Sequence, residues 1–478
     1  MARCLFAVAG LSLVGDALAR DRNTTRPSPP TAAAQNSNGP GLSDKSPGSR
    51  YPLIGPLLSA SLYRNASLLV ASNLTTAALG IAFWVAIARM YTPEQIGVGT
   101  GLIASAAVVA SLSILGFDNS VIRLLAWSPD QRRLVSSVLI VVSAASFGAS
   151  LIYIAGLPIF APLLASQLSR PLPFVAFVTS CIVVSISGVI DAVFIAQRSS
   201  HYVLAKNTLL SITKIIAAAA LVSMGPMGVF GSVSLATIVA VAFAFMMLPR
   251  AVQGGTGWHF SVGILRSARR SSAYNYVTNV LNNLPLQGLP ILVLNALGPR
   301  ASAVYYLDMT IASVFYTASI SVANALYAEV SHSSDHRDSQ LTRALMMLVV
   351  MLTPGIVIVV AFGHKLLLLF GRQYAADGLG LLRWFTAASL FVALNNAAVP
   401  LLNLAYRLRT LAALSSAGAL VLLAASWGGL AARPRLETVG LVWFAGQGAL
   451  SVAYVAVVPE VRHVIAKAKL FTGRRRKD

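Results

Sequence analysis

From residue 66 onward the chain is a succession of apolar runs separated by short polar connections. A helix that crosses a bilayer needs about 20 predominantly apolar residues. Twelve runs have that length, at approximately 66–88, 97–117, 134–158, 173–196, 204–224, 228–249, 274–297, 302–326, 342–363, 378–403, 409–431 and 438–458. Few connections exceed about fifteen residues, so no sizeable soluble domain fits between the spans. The pattern predicts an all-α membrane protein of about twelve transmembrane helices.

The polar exceptions inside the runs carry the next inference. The seventh span reads AYNYVTNVLNNLPLQGLP, with Asn275, Asn279, Asn282, Asn283 and Gln287 beside Pro285 and Pro290. At about 100° per residue the five amides share an arc of about 140°. An amide between membrane helices contributes only ~0.6 kcal/mol as interhelical glue, so five on one arc predict a face turned to a water-filled cavity. There the prolines kink or open the helix and water satisfies the freed carbonyls. The eighth span carries a second stripe, Tyr305, Tyr316, Ser319 and Tyr327, with Asp308 at its edge. The first span offers Ser72, Asn73, Thr76 and Gly80 on one side, and the tenth offers Asn395, Asn396 and Asn403.

The two halves echo each other at a constant offset of 206 residues. Arg64 stands opposite Arg270, Asn73 opposite Asn279, Thr76 opposite Asn282, and Pro93 in MYTPEQIG opposite Pro299 in LGPRASAV. Asp118 faces Asn324, Arg123 faces Glu329 and Gln197 faces Asn403. Six spans per half give both halves the same topology, which predicts parallel repeats in two six-helix lobes around a central cavity, with binding near the midplane. The expected organisation is a tail over 1–60, lobes over 61–252 and 273–460, a cytoplasmic linker over 253–272 and a basic tail over 461–478.

Ionisable groups in or near the membrane are costly unless functional or paired. Asp191, Lys214 and Asp308 lie within spans, and Arg64, Asp118, Arg123 and Glu329 near span ends. For Asp191 and Lys214 the alternatives are a functional role and a structural pair between neighbouring helices. Arg grips phosphate in a bidentate way and Lys acts as a point charge. Amides and tyrosines suit sugar hydroxyls, and acidic groups suit proton or sodium coupling. Together they favour a large amphiphile with phosphate and glycan parts.

Composition agrees with the membrane assignment: 56% of residues are hydrophobic, 11% are charged and mean hydropathy is +0.73. The net charge of +21 is not a nucleic-acid signal, because no soluble basic domain exists to carry one. From Arg50 onward, 22 Lys and Arg fall in segments that are cytoplasmic when both termini are inside, against 8 in the outer connections. That bias places both termini in the cytoplasm. The tail KAKLFTGRRRKD suits anionic headgroups or serves only as an orientation signal. Cys4 and Cys181 form no disulfide framework, and HSSDH, with His332 and His336, lacks the Glu of a zinc-hydrolase helix. No metal and no cofactor are expected. MARCLFAVAGLSLVGDALAR has the features of a weak signal peptide, and the segment after it is disordered by composition. Cleavage would invert the charge count, so a cytoplasmic tail, or a start codon placed too early, is the expected reading.

The stretch IAFWVAIARMYTPEQIGVGTGLIASAAVVASLSILGF resembles the first hairpin of polysaccharide-biosynthesis membrane proteins, the lipid-linked oligosaccharide flippases of the O-antigen type. These belong to the multidrug/oligosaccharidyl-lipid/polysaccharide exporter superfamily. LGPRASAVYYLDMTIASVFYTASISVANALYAEVSH and LLLLFGRQYAADGLGLLRWF agree, and the resemblance covers about residues 60–460. It implies two lobes forming a V, a cavity opening alternately to each side, a polyprenyl-pyrophosphate-linked glycan as cargo, and a bacterial inner-membrane location beside polysaccharide polymerase machinery. The family has no strict signature for substrate-binding residues. Charge and position therefore nominate Arg64, Arg123, Lys214 and Arg270 for the pyrophosphate. Asn275, Asn279, Asn282, Tyr305 and Tyr316 are expected to meet sugar, and Asp191, Asp308 and Glu329 to couple ions. A lipid II flippase is an alternative within the superfamily. A multidrug or cation exporter is another, but it would want an acidic, aromatic cavity. An enzyme would want catalytic groups in a substantial external loop, and the longest, GHKLLLLFGRQYAA over about 364–377, has no acid pair.

Overall fold

A computed structural model describes residues 72, 75–125, 128, 130–252, 262–332, 337–404 and 407–458. All of them fall within one compact unit, Leu57–Asp478. The first half contains α1 (Thr75–Met90), α2 (Pro93–Ser113), α3 (Phe117–Leu125), α4 (Gln131–Phe160), α5 (Pro162–Gln167), α6 (Pro171–Ala196), α7 (Ser200–Ala220) and α8 (Pro226–Ala251). The second contains α9 (Val262–Leu297), α10 (Pro299–His332), α11 (Arg337–Leu368), α12 (Arg372–Leu404), α13 (Leu408–Ala432) and α14 (Leu436–Val457). Among the described residues the only other regular element is a 3-10 turn, Val222–Met224.

Each of the twelve expected spans coincides with a long helix or, for the first, with its described part, α1. Nine helices are long and apolar enough to cross a membrane among the described residues: α2, α4, α6, α7, α8, α11, α12, α13 and α14. The helix α1 and residues Asn283–Leu297 of α9 are shorter apolar helices. The chain is thus an all-helical, multi-pass membrane protein. Two details depart from expectation. The amphipathic α3 follows the turn at Leu115 and Gly116, both at positive φ, where the sequence predicts only a connection. And α9 begins at Val262, inside the expected linker 253–272.

Local chemistry sets the ends. In MYTPEQIG the Thr92 hydroxyl accepts the Gln95 amide at 3.3 Å and the Gln95 side-chain oxygen accepts the Thr92 amide at 3.1 Å, a capping box with Pro93 in the first turn of α2. Asp130 caps α4 by accepting from Arg133 N at 3.0 Å. The turn between α9 and α10 passes through Gly298 at φ 87°, a conformation that only glycine adopts without strain, before Pro299 opens α10.

The two halves repeat their packing. In the first, α6 lies against α2, α4 and α8, and α7 against α8; in the second, α12 lies against α10, α11 and α14, and α13 against α14. The α1 end meets α7 through Tyr91, whose hydroxyl donates to the Ala218 carbonyl at 2.8 Å, and α9 lies against α13. One core joins α3, α4, α6 and α8 (Val121, Val138, Val193, Phe194, Ala244) and another joins α12, α13 and α14 with α10 (Phe385, Leu422, Trp443, Tyr305). A separate cluster bridges the halves: Phe83, Trp84 and Ile87 of α1 and Ile96 of α2 pack with Ala303, Val304 and Leu307 of α10 and with Phe370 and Tyr374.

Candidate translocation cavity

Between the halves, α1, α7 and α10 line a half-open cavity of about 300 Å³. Its walls are Thr76, Ala77, Gly80 and Ile81 of α1, Asn207 of α7, and Thr310, Ser313, Val314 and Thr317 of α10. Thr310 donates its hydroxyl to the Tyr306 carbonyl at 2.8 Å and Ser313 donates to the Thr310 carbonyl at 2.7 Å. Each hydroxyl thus spends its proton on its own helix and keeps its oxygen lone pairs for a ligand. Asn207 donates to the buried Ser72 hydroxyl at 3.3 Å. None of these described wall residues is charged.

Gly80 explains part of the space. A Cβ built there meets nothing within 4 Å among the described residues, so the glycine faces an opening. Two turns beyond Asn207 on α7, the Lys214 ammonium lies 4.9 Å from the centroid of the buried Phe83 ring. This cation–π contact holds the charge at the α1–α7 seam.

The α10 stripe predicted from tyrosines is corrected. Tyr305 and Tyr316 are in the second-half core: the Tyr305 ring stands edge-on to Phe385 at 5.5 Å. Tyr316 donates to the Phe385 carbonyl at 2.9 Å and accepts the Trp443 indole N–H at 3.0 Å. The face that meets the cavity is turned by about 60–140° from them and carries Thr310, Ser313 and Thr317, at i, i+3 and i+7. On α1 the expected side is the one observed, through Thr76 and Gly80. On α12, Asn395 is interhelical glue: it donates to the Gln447 side chain at 2.9 Å and accepts from Ser451 at 2.7 Å.

Asp191 has a partner that the span pattern alone does not name. Its Oδ2 lies 2.6 Å from the Lys206 ammonium, which is 1% exposed and also donates to Ser187 at 2.7 Å. The pairing is accessible in principle from sequence, because the turn at 197–199 sets residues 191 and 206 level on a tight hairpin. Lys214, the alternative partner, is elsewhere on α7. Asp308 is fully buried against Gly378, and neither of its carboxylate oxygens has a hydrogen-bond partner among the described residues. Asn283 is exposed on α9, whereas Pro285 and Pro290 are buried within a helix that continues through both. Arg64 lies outside the described residues. Arg123, Arg270, Asn275, Asn279, Asn282 and Glu329 fall within helices, but their side chains lie outside the described set.

A half-open cavity lined by hydroxyls, one amide and small apolar side chains thus lies between two halves of membrane helices that repeat one packing plan. In overall fold the chain is similar to the lipid II flippase MurJ in an inward closed conformation, with TM-score 0.66 at 10% identity, covering 83% of this chain and 89% of that one. It is also similar to a multidrug resistance MATE family transporter of the MOP superfamily. The inward-facing form gives TM-score 0.62 at 12% identity, covering 82% of this chain and 96% of that one. The outward-facing form gives 0.57 at 13% identity, covering 86% and 96%. The curated proteins contain no match to the sequence. The polysaccharide biosynthesis protein family matches over residues 62–305, just over half the chain, and the chain belongs to that family.

Proposed function

We propose that the protein carries a polyprenyl-pyrophosphate-linked oligosaccharide from the cytoplasmic to the outer leaflet of a bacterial inner membrane, by alternating access and without covalent chemistry. In this reading the lobes are 61–252 and 273–460, both termini are cytoplasmic, and the product feeds polysaccharide polymerase machinery. The observation that carries it is the cavity wall: its described polar groups are hydroxyls and an amide, Thr76, Asn207, Thr310, Ser313 and Thr317, set among Ala77, Gly80, Ile81 and Val314, with no acid and no aromatic ring among these residues. Such a wall suits sugar hydroxyls and is a poor trap for a cationic drug, which an exporter would hold with carboxylates and aromatic faces. Lys214, at the edge of the α1–α7 seam, attracts the pyrophosphate, together with Arg64, Arg123 and Arg270. The amides Asn275, Asn279 and Asn282 extend the sugar path, and Asp308, Asp191 and Glu329 are the groups proposed to couple ions. The test is a lipid extraction after deleting the gene in its host. Polyprenyl-linked glycan should accumulate in the cytoplasmic leaflet while surface polysaccharide is lost, and the wild-type gene should reverse both. Unchanged lipid-linked glycan with altered drug sensitivity would replace this reading with the exporter.

A further inference from the structure

At the end of the bundle that carries residues 89–101 and 294–300, two side chains reach from one half to the helix terminus of the other. Arg89, at the end of α1, donates from Nε and Nη2 to the Leu369 carbonyl at 3.1 and 3.0 Å and from Nη2 to the Leu368 carbonyl at 3.3 Å. These are the carbonyls at the C-terminus of α11. Asn295, near the end of α9, donates to the Phe160 carbonyl at 2.7 Å, the last residue of α4.

The two contacts are one contact made twice. Arg89 and Asn295 are 206 residues apart, the repeat offset, and Phe160 moved by the same offset falls on Leu366, within one helical turn of Leu368 and Leu369. Each half therefore sends a residue near the end of its first span to the end of the other half's third span. Helix C-termini hold unpaired carbonyls and a partial negative charge, so a donor there is favoured and a cation more so. Between the two contacts the backbones meet directly: a Cβ on Gly97 would overlap the Pro299 carbonyl oxygen. Both donors are exposed, so their bonds exchange readily with water, as a seam that opens in every cycle requires.

We infer that Arg89 and Asn295 are reciprocal latches that hold this end of the transporter shut, the Arg89 latch being the stronger. In the proposed orientation it is the outer end. The inference rests on the alternating-access reading but not on the cargo.

The test follows the accessibility of the cavity from outside. In a background carrying Cys4→Ser and Cys181→Ala, a Thr317→Cys reporter is labelled with a membrane-impermeant maleimide in right-side-out vesicles, with signal normalised to reporter protein. Arg89→Ala combined with Asn295→Ala should raise the labelling rate by about fivefold or more, the scale expected when helix-end contacts are lost. Asn295→Arg, which places the stronger latch at both positions, should lower the rate below that of the parent. A chain loosened by the change becomes more accessible, and an aggregated one is lost from the monodisperse peak after extraction. Slower labelling of this second variant in monodisperse protein therefore separates the latch from general damage. An unchanged rate in the double alanine variant, or faster labelling of Asn295→Arg, overturns the proposal. The reporter needs no glycan, so a negative lipid extraction leaves this result standing on its own.

Discussion

Single side chains in this protein divide into those that hold helices together and those left to meet a ligand. Lys206 belongs to the first group. Its ammonium is buried and shared between Asp191 and Ser187, so removing the carboxylate leaves an uncompensated charge. Asp191→Leu and Lys206→Met should each destabilise the protein by about 3–5 kcal/mol, whereas the two together should recover most of the loss. Melting temperatures of the purified variants in detergent, arranged as a double-mutant cycle, read this coupling; additive losses would show that the pair is not one unit. Lys214 belongs to the second group, because its only described contact is the face of Phe83. Lys214→Glu should leave the protein in the membrane at normal abundance and abolish glycan export. Export at the wild-type level would remove Lys214 from the pyrophosphate path.

At the scale of a helix, α10 shows why polar patterns in membrane spans are hard to assign. Tyr305 and Tyr316 point into the core while Thr310, Ser313 and Thr317 meet the cavity, so opposite outcomes are expected on one helix. Tyr316→Phe removes the donor to the Phe385 carbonyl and the acceptor of the Trp443 N–H, which should cost about 1–3 kcal/mol in a melting experiment. Export per molecule should be unchanged. Thr317→Val, nearly the same shape, should leave the melting temperature alone and reduce export. A reversal of the two phenotypes would return the tyrosine stripe to the cavity. The existence and order of the helices was legible in the sequence, because a bilayer forces about 20 apolar residues per span and the capping chemistry of MYTPEQIG and LGPRASAV marks the turns. The direction of each helix was not. In water an apolar stripe points inward, but a helix with lipid on one side and protein on the other is apolar all round, so periodicity gives angles without an origin. The α1 face, Thr76 and Gly80, was readable because small and polar residues coincide there; the α10 face competed with tyrosines whose hydroxyls also need partners. Lys206 was legible only through the hairpin that sets it beside Asp191.

The described residues form two halves with one packing plan that meet along a seam between α2 and the α9–α10 pair, and two glycines of the first half report the seam's two functions. Gly80 faces the cavity, where an added methyl group would have no described neighbour within 4 Å; Gly97 touches the Pro299 backbone of the opposite half. The first supplies room and the second supplies closeness. Between membrane helices, where lipid is as apolar as a side chain, such close approach of small residues is what packing rests on. Gly80→Leu should therefore be accepted by the fold, with unchanged melting temperature, while it fills the cavity and stops export. Gly97→Ala should do the reverse: the added methyl meets a carbonyl oxygen that cannot swing aside like a flexible side chain, so the halves must part. Its melting temperature should fall, and a Thr317→Cys reporter should be labelled faster from outside, as when both latches are cut. Combining Gly97→Ala with Arg89→Ala and Asn295→Ala should then add little to the labelling rate, because all three changes act on the same closed seam. A combined rate equal to the product of the separate effects would mean instead that the glycine contact and the two latches act on different motions.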